Sequence, residues 1–203
     1  MTTKRRLEYL LKTVMLAIVL ATAGAELGRG HAAVSPSKEA KNALGFNEFL
    51  DRVQAYVKLR NSIKSSVPAL KPTDQPEKIA NRQQALAQKI REARQQARRG
   101  DMFSEDVRKA FRRTVREEFG GPHGRGARTT IRQGEPLKTI HLHVNETYPD
   151  GVPYTTLPPT LLLKFPKLPD QLAYRIVVRD LVLLDVEANL VIDRIPDIFP
   201  ETI

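Results

Sequence analysis

A chain of 203 residues is of single-domain size, with room for a modest core. It carries 33 Lys and Arg against 23 Asp and Glu, a net charge of +10, and no cysteine. The lack of cysteine excludes disulfides, thiolate metal sites, a cysteine nucleophile and a lipidated cysteine, and leaves the compartment open.

Lys4, Arg5, Arg6 and Lys12 form a basic region around the start of the apolar run TVMLAIVLATAGA (13–25), which has signal-peptide length and is short for a membrane span. Small residues follow, and cleavage is expected near Ala33, before the polar VSPSKEA. Residues 1–33 are therefore read as a signal peptide and the mature protein as periplasmic or secreted. An uncleaved N-terminal anchor is the alternative. Glu8 stands where a twin-arginine signal prefers an apolar residue, so general secretion fits better. Export sets aside ATP-dependent and nicotinamide-dependent chemistry. The glycines between Gly120 and Gly126 follow a helix rather than a strand, unlike a phosphate-binding loop.

The spacing of Phe46, Phe49, Leu50, Val53, Val57 and Ile63 predicts an amphipathic helix over 46–63, with Arg52, Lys58 and Arg60 mostly off its apolar face. A proline-rich linker follows over 65–76, and a second helix is expected to begin near Pro76. Good helix formers then run over 77–99, with a thin seam of Ile79, Leu86, Ile90, Ala93 and Ala97. A seam so thin needs a partner helix, either the first helix or a second copy of the chain in a homodimer. Ser104 caps a third helix over 104–119, with Glu105 and Asp106 in its first turn and Phe103, Val107, Phe111, Val115 and Phe119 on its apolar face.

Over 138–144 the alternation predicts a strand with His141 and His143 on one face and Ile140, Leu142 and Val144 on the other. Two imidazoles so placed are a candidate site for a divalent transition metal, with Glu146 or Asp150 as an oxygen ligand and His123 as a third nitrogen. Solvent-facing strand histidines are the plainer reading. Pro158-Pro159 starts a candidate short helix, TLLLKF. Ser35, Ser37, Ser62, Ser65, Ser66 and Ser104 are the only serines, and none sits in a nucleophile elbow. A small secreted hydrolase would have to use carboxylates such as Asp185 and Asp193; these read instead as solvent-side residues guarding a sheet edge.

The densest apolar block after the leader is LAYRIVVRDLVLLDVEANLVIDRI (172–195). Leu172, Tyr174, Ile176 and Val178 alternate with Ala173, Arg175, Val177 and Arg179; LVLLDV is apolar on both faces; LVIDRI ends at Pro196. Three antiparallel strands are expected, or one long hairpin if the chain runs straight through Arg179-Asp180, with Asn189 in a left-handed turn position. The run from Tyr174 through Asp180 to Asp193 resembles the C-terminal module of small periplasmic bacterial proteins, among them the nickel/cobalt-homeostasis family. In that pattern a glycine is usual where Val178 stands and another where Asn189 stands. The resemblance implies a small β-module in an exported protein, and it carries no metal function or binding residue with it.

Charge divides the molecule. Residues 34–134 hold 22 Lys and Arg against 11 Asp and Glu, whereas residues 135–203 hold 6 against 10. The expected fold is α+β, with two to three N-terminal amphipathic helices in a basic region (34–134) followed by a small antiparallel sheet of three to four strands (135–203). The expected role is non-catalytic interaction or binding in the cell envelope. Arg91, Arg94, Arg98, Arg99, Arg112 and Arg113, with Arg108 and Arg116, are candidates for binding a polyanion such as lipopolysaccharide or anionic lipid; a partner protein is another candidate. Few aromatics, no recognised module and an export signal argue against nucleic acid. No cofactor is expected, unless His141 and His143 bind metal.

Overall fold

The computed structural model describes residues 37–121 and 140–199. Helix α1 (Lys38–Ser65) starts eight residues before the apolar periodicity does, because Ser37 caps it by accepting from the Ala40 N–H at 3.2 Å. Its buried stripe is Gly45, Phe49, Val53, Tyr56 and Arg60, at intervals of three and four. Arg60 therefore lies on the buried face rather than off it. Gly45 is required by a close helix crossing: a Cβ there would stand 2.8 Å from Ala110 Cβ on the helix Glu105–Gly120.

Helix α2 (Pro76–Ala93) opens on the expected proline and buries Leu86, Ala87 and Ile90. It stops six residues short of the expected end. Asn145 Nδ2 donates to the carbonyls of Arg91 and Arg94 at 3.2 and 3.0 Å, so a residue far along the chain caps the helix. Of the expected seam, Leu86 and Ile90 join the chain's own core, while Ile79 and Ala93 stay exposed. Helix α3 (Glu105–Gly120) is as expected: Ser104 Oγ accepts from Val107 N–H at 3.4 Å, and the acids Glu105 and Asp106 occupy its first turn. A short turn of helix, α4 (Pro159–Leu162), precedes the sheet.

Strands β1 (Leu172–Val177), β2 (Asp180–Asp185) and β3 (Leu190–Ile195) form an antiparallel meander with β2 in the centre. One face packs on the helices in a single core. There Phe111 is the hub, its ring 4.6 Å from Phe165, 5.1 Å from Phe46 and Phe49, and 5.3 Å from Phe103. Helices and sheet thus share one core rather than hanging on a linker, and Val67, inside the proline-rich stretch, is buried in it.

The other sheet face carries Val177, Val182, Leu184 and Val191, covered by Ile140, Leu142, Tyr148 and Val152. This covering segment corrects the expected fourth strand. Residues 140–144 have no strand structure, and the segment crosses the back of the sheet as a strap. It meets the free edge of β3 through Asn145 N–H to Val191 O and Val191 N–H to Glu146 O. It meets the free edge of β1 through a two-way bridge between Thr155 and Ile176. Both edges are thereby partly closed to other chains.

The β1–β2 loop is two residues long, and Val178 has φ +56°. A positive φ at the first position of a two-residue loop is the glycine-preferring pattern, and a β-branched side chain is strained there. The side chain is 45% exposed and loses little packing if removed. Val178→Gly is expected to stabilise the protein by about 0.5–1 kcal/mol, since relief of about 1–2 kcal/mol of left-handed strain exceeds the glycine entropy cost of about 0.5–1 kcal/mol. Urea unfolding of the two proteins at equal m-value measures it. Asn189, at φ +48°, takes the left-handed position expected of it.

Candidate functional site

The two carboxylates expected at the solvent face are fully buried, each 0% exposed. Asp185 follows Leu181 and Leu183 at strand spacing, so it faces the helices as they do. Asp193 reaches the same face by a different route. The β2–β3 register shifts between Leu183 and Leu184, pairing Leu183 with Asp193 and Leu184 with Val191. Ile192 is the extra residue of this bulge, so Ile192 and Asp193 both turn toward the helices.

Asp185 organises a cluster of charges between α1 and the β2–β3 hairpin. Its Oδ2 accepts from Tyr56 Oη and Arg60 Nε, both at 2.7 Å. Its Oδ1 accepts from the backbone N–H groups of Glu187 and Ala188 at 3.1 and 2.9 Å. Arg60 Nη2 donates to Glu187 Oε2, which also accepts from Lys64 Nζ at 2.7 Å, while Arg82 Nη1 stands 3.5 Å from Glu187 Oε1. Burial, the Asp185 charge and its hydrogen bond all hold the Tyr56 phenol protonated by pushing its pKa far up. Burial works against the Arg60 charge, but the bonds to Asp185 and Glu187 outweigh it and raise its pKa. Burial likewise works against ionised Glu187, and Lys64 and Arg60 overcome it, so its pKa falls. Every charge in the cluster is opposed by a partner, which makes it a clamp between helix and hairpin.

Asp193 is a second clamp. Its carboxylate accepts from the backbone N–H groups of Gly100 at 3.1 Å, Met102 and Phe103 at 2.9 Å, and Arg194 at 2.7 Å. This fixes the turn between α2 and α3. Gly100, at φ +102°, is the residue that lets the turn fold around the carboxylate.

The candidate arginines divide into two sets. Arg91, Arg98 and Arg99 are exposed. Arg94, Arg112 and Arg113 are half-buried and engaged within the chain. The Arg94 guanidinium lies 5.3 Å from the Tyr56 ring centroid and donates to Ile192 O at 3.2 Å, and burial lowers its pKa. Arg112 donates to the carbonyls of Pro196 and Asp197 at 2.6 and 3.0 Å, tying α3 to the chain beyond β3. Arg113 Nε donates to Asn42 Oδ1 at 2.6 Å. Arg108 pairs with Glu105, and Arg116 is exposed. Arg94, Arg112 and Arg113 therefore hold the fold.

His141 and His143 are both exposed, with buried Leu142 between them. Leu142 packs against the back of the sheet and leaves both histidines exposed. Glu146 and Asp150 are exposed as well. Among the described residues no group of three or more His, Asp or Glu converges in a way that could hold a metal ion. His123, Gly124, Gly126 and the expected signal peptide lie outside the described residues, whereas Gly120 and Gly121 are at the end of α3. Among the described residues no helix is long and apolar enough to cross a membrane.

The clamp residues Tyr56 and Arg60 carried a sequence signal. Phe49, Val53, Tyr56 and Arg60 continue one helical stripe, and an arginine on such a stripe needs a buried acid, which Asp185 supplies at the inward parity of β2. In comparisons with protein-family models, curated proteins and solved structures, nothing matches this chain.

Proposed function

We propose that this is an exported, non-catalytic interaction protein of the cell envelope that presents a rigid basic surface to an anionic envelope component. The observation that carries this reading is the α2–α3 turn. Arg98 and Arg99 stand exposed on it, close after exposed Arg91, and the turn is pinned from beneath by Asp193. A pinned turn holds cations in fixed positions and loses little freedom on binding. Residues 34–203 hold 28 Lys and Arg against 21 Asp and Glu, and this net charge of +7 adds long-range attraction for anions. The non-catalytic part is supported by the use made of Asp185 and Asp193: both accept three or more internal hydrogen bonds. Export is supported by the basic-then-apolar N-terminal sequence. It is also supported by the left-handed backbone at Val178 and Asn189, the positions where the periplasmic module that the C-terminus resembles carries glycine.

The protein is expected to be retained on immobilised heparin and on lipid A in a strongly salt-dependent way. Arg98→Ala with Arg99→Ala should elute at clearly lower salt with an unchanged melting temperature. Retention that ignores salt, or that the double variant leaves unaltered, would show the basic turn is not the binding surface.

A further inference from the structure

A second surface carries apolar side chains where solvent would be expected. In PPTLLLKFPKLP (158–169), Leu161 and Phe165 are buried, while Leu162 and Leu163 are 53% and 87% exposed. Two adjacent exposed leucines on a well-anchored turn are unusual for a surface that meets only water. The anchoring is specific: Leu161 packs in the main core, and Lys164 Nζ donates to Glu118 Oε2 on α3 at 2.6 Å.

These leucines edge a groove of about 540 Å³ that runs beside β1, within the range of about 300–1,000 Å³ typical of ligand pockets. Among the described residues that line it, Lys167 and Arg175 are the charged ones and none is a carboxylate. The Arg175 guanidinium lies 4.8 Å from the ring centroid of exposed Tyr154. Exposed leucines sharing a groove with lysine and arginine, and a tyrosine ring beside that arginine, supply the residue types of a bilayer interface. There acyl chains take the aliphatics, and the headgroup level takes the amphipathic ring and the cations.

We infer that Leu162 and Leu163 insert into the acyl region of an anionic phospholipid bilayer, with Lys167 and Arg175 meeting its phosphates. This rests on the envelope-interaction reading and names a lipid surface and a second, hydrophobic contact for it. The charge of the groove selects an anionic over a zwitterionic surface, and the leucines supply a contact that salt does not screen.

The chain has no tryptophan, so Leu163→Trp places a single reporter at an exposed position. With phosphatidylglycerol vesicles its emission should shift to the blue and its quenching by acrylamide should fall; phosphatidylcholine vesicles should produce much less of either. Leu162→Ser with Leu163→Ser should lower partition onto phosphatidylglycerol vesicles by at least about tenfold in sedimentation, with unchanged thermal unfolding. If the reporter protein sediments with the vesicles in a salt-dependent way but its emission does not move, insertion is wrong and the electrostatic reading stands. If it does not sediment at low salt, insertion is also wrong, and heparin retention decides the basic turn separately. A blue shift caused equally by an acidic, leucine-rich peptide without lipid would assign the groove to a protein partner and overturn the inference.

Discussion

Replacing Arg60 by leucine is expected to destabilise the fold by about 3–5 kcal/mol, the usual cost of leaving one member of a buried ion pair alone. Arg60 and Asp185 are 1% and 0% exposed, so solvent cannot replace the lost partner. The abandoned carboxylate would keep Tyr56 Oη and the N–H groups of Glu187 and Ala188, which soften the loss without neutralising the charge. Against a typical stability of about 5–15 kcal/mol this is a large fraction of the whole. The outer part of the cluster should behave differently. Lys64 is substantially exposed, and Lys64→Ala is expected to cost no more than about 1 kcal/mol. Urea unfolding of both variants tests the contrast. Near-equal losses would mean that the buried pair is not the centre of the clamp.

The second large effect is expected at Asp193. Asp193→Ala removes the acceptor for the buried N–H groups of Met102 and Phe103 and for those of Gly100 and Arg194 at the margin. An unsatisfied buried donor costs about 1–3 kcal/mol, and the turn can relax around some of them, so a loss of about 2–4 kcal/mol is expected. Asp193→Asn keeps one carbonyl oxygen where Met102 and Phe103 donate and should lose less. Hydrogen exchange at Met102 and Phe103 gives a local reading: both amides should lose protection in Asp193→Ala before the core does. Strong protection retained there would contradict the pinning of the turn.

Asp193 also sets a pH dependence. Burial pushes its carboxyl up from the ordinary 3.8, against the pull of the backbone N–H groups of Phe103, Gly100, Met102 and Arg194. A raised folded pKa means that the native state holds the proton more tightly than the unfolded chain does. The resulting stabilisation is complete below the ordinary value and is lost as pH rises through the folded one. The stability advantage of the native sequence over Asp193→Asn is therefore expected to shrink as pH rises from about 3.8 upward.

The elements were legible where their signals are local. The Ser104 cap with Glu105 and Asp106 marked α3, Pro76 opened α2, and the three strands appeared where period-two patterns and turn residues placed them. Errors arose where a distant residue decides. The end of α2 depends on Asn145, which is more than fifty residues away. The inward turn of Asp193 depends on the bulge opposite Leu183 and Leu184, and simple alternation from Ile192 would send it outward. Residues 138–144 had the alternation of a strand, but both edges of the sheet take only isolated contacts from the strap that contains part of them.

The same division holds for the candidate surfaces. Sequence alone determined the α+β class, the basic helical half and the strands of the C-terminal sheet, because each follows from composition or from a period of two or 3.6 residues. Only the tertiary structure decided which charges are free to meet a partner. Arg94 and Arg98 are four residues apart in one arginine-rich run, yet one lies over Tyr56 and the other stands in solvent. Periodicity cannot separate them, because their fates depend on what packs opposite: an aromatic ring and the Ile192 carbonyl draw Arg94 inward, and Asp193 holds the following turn with Arg98 outside.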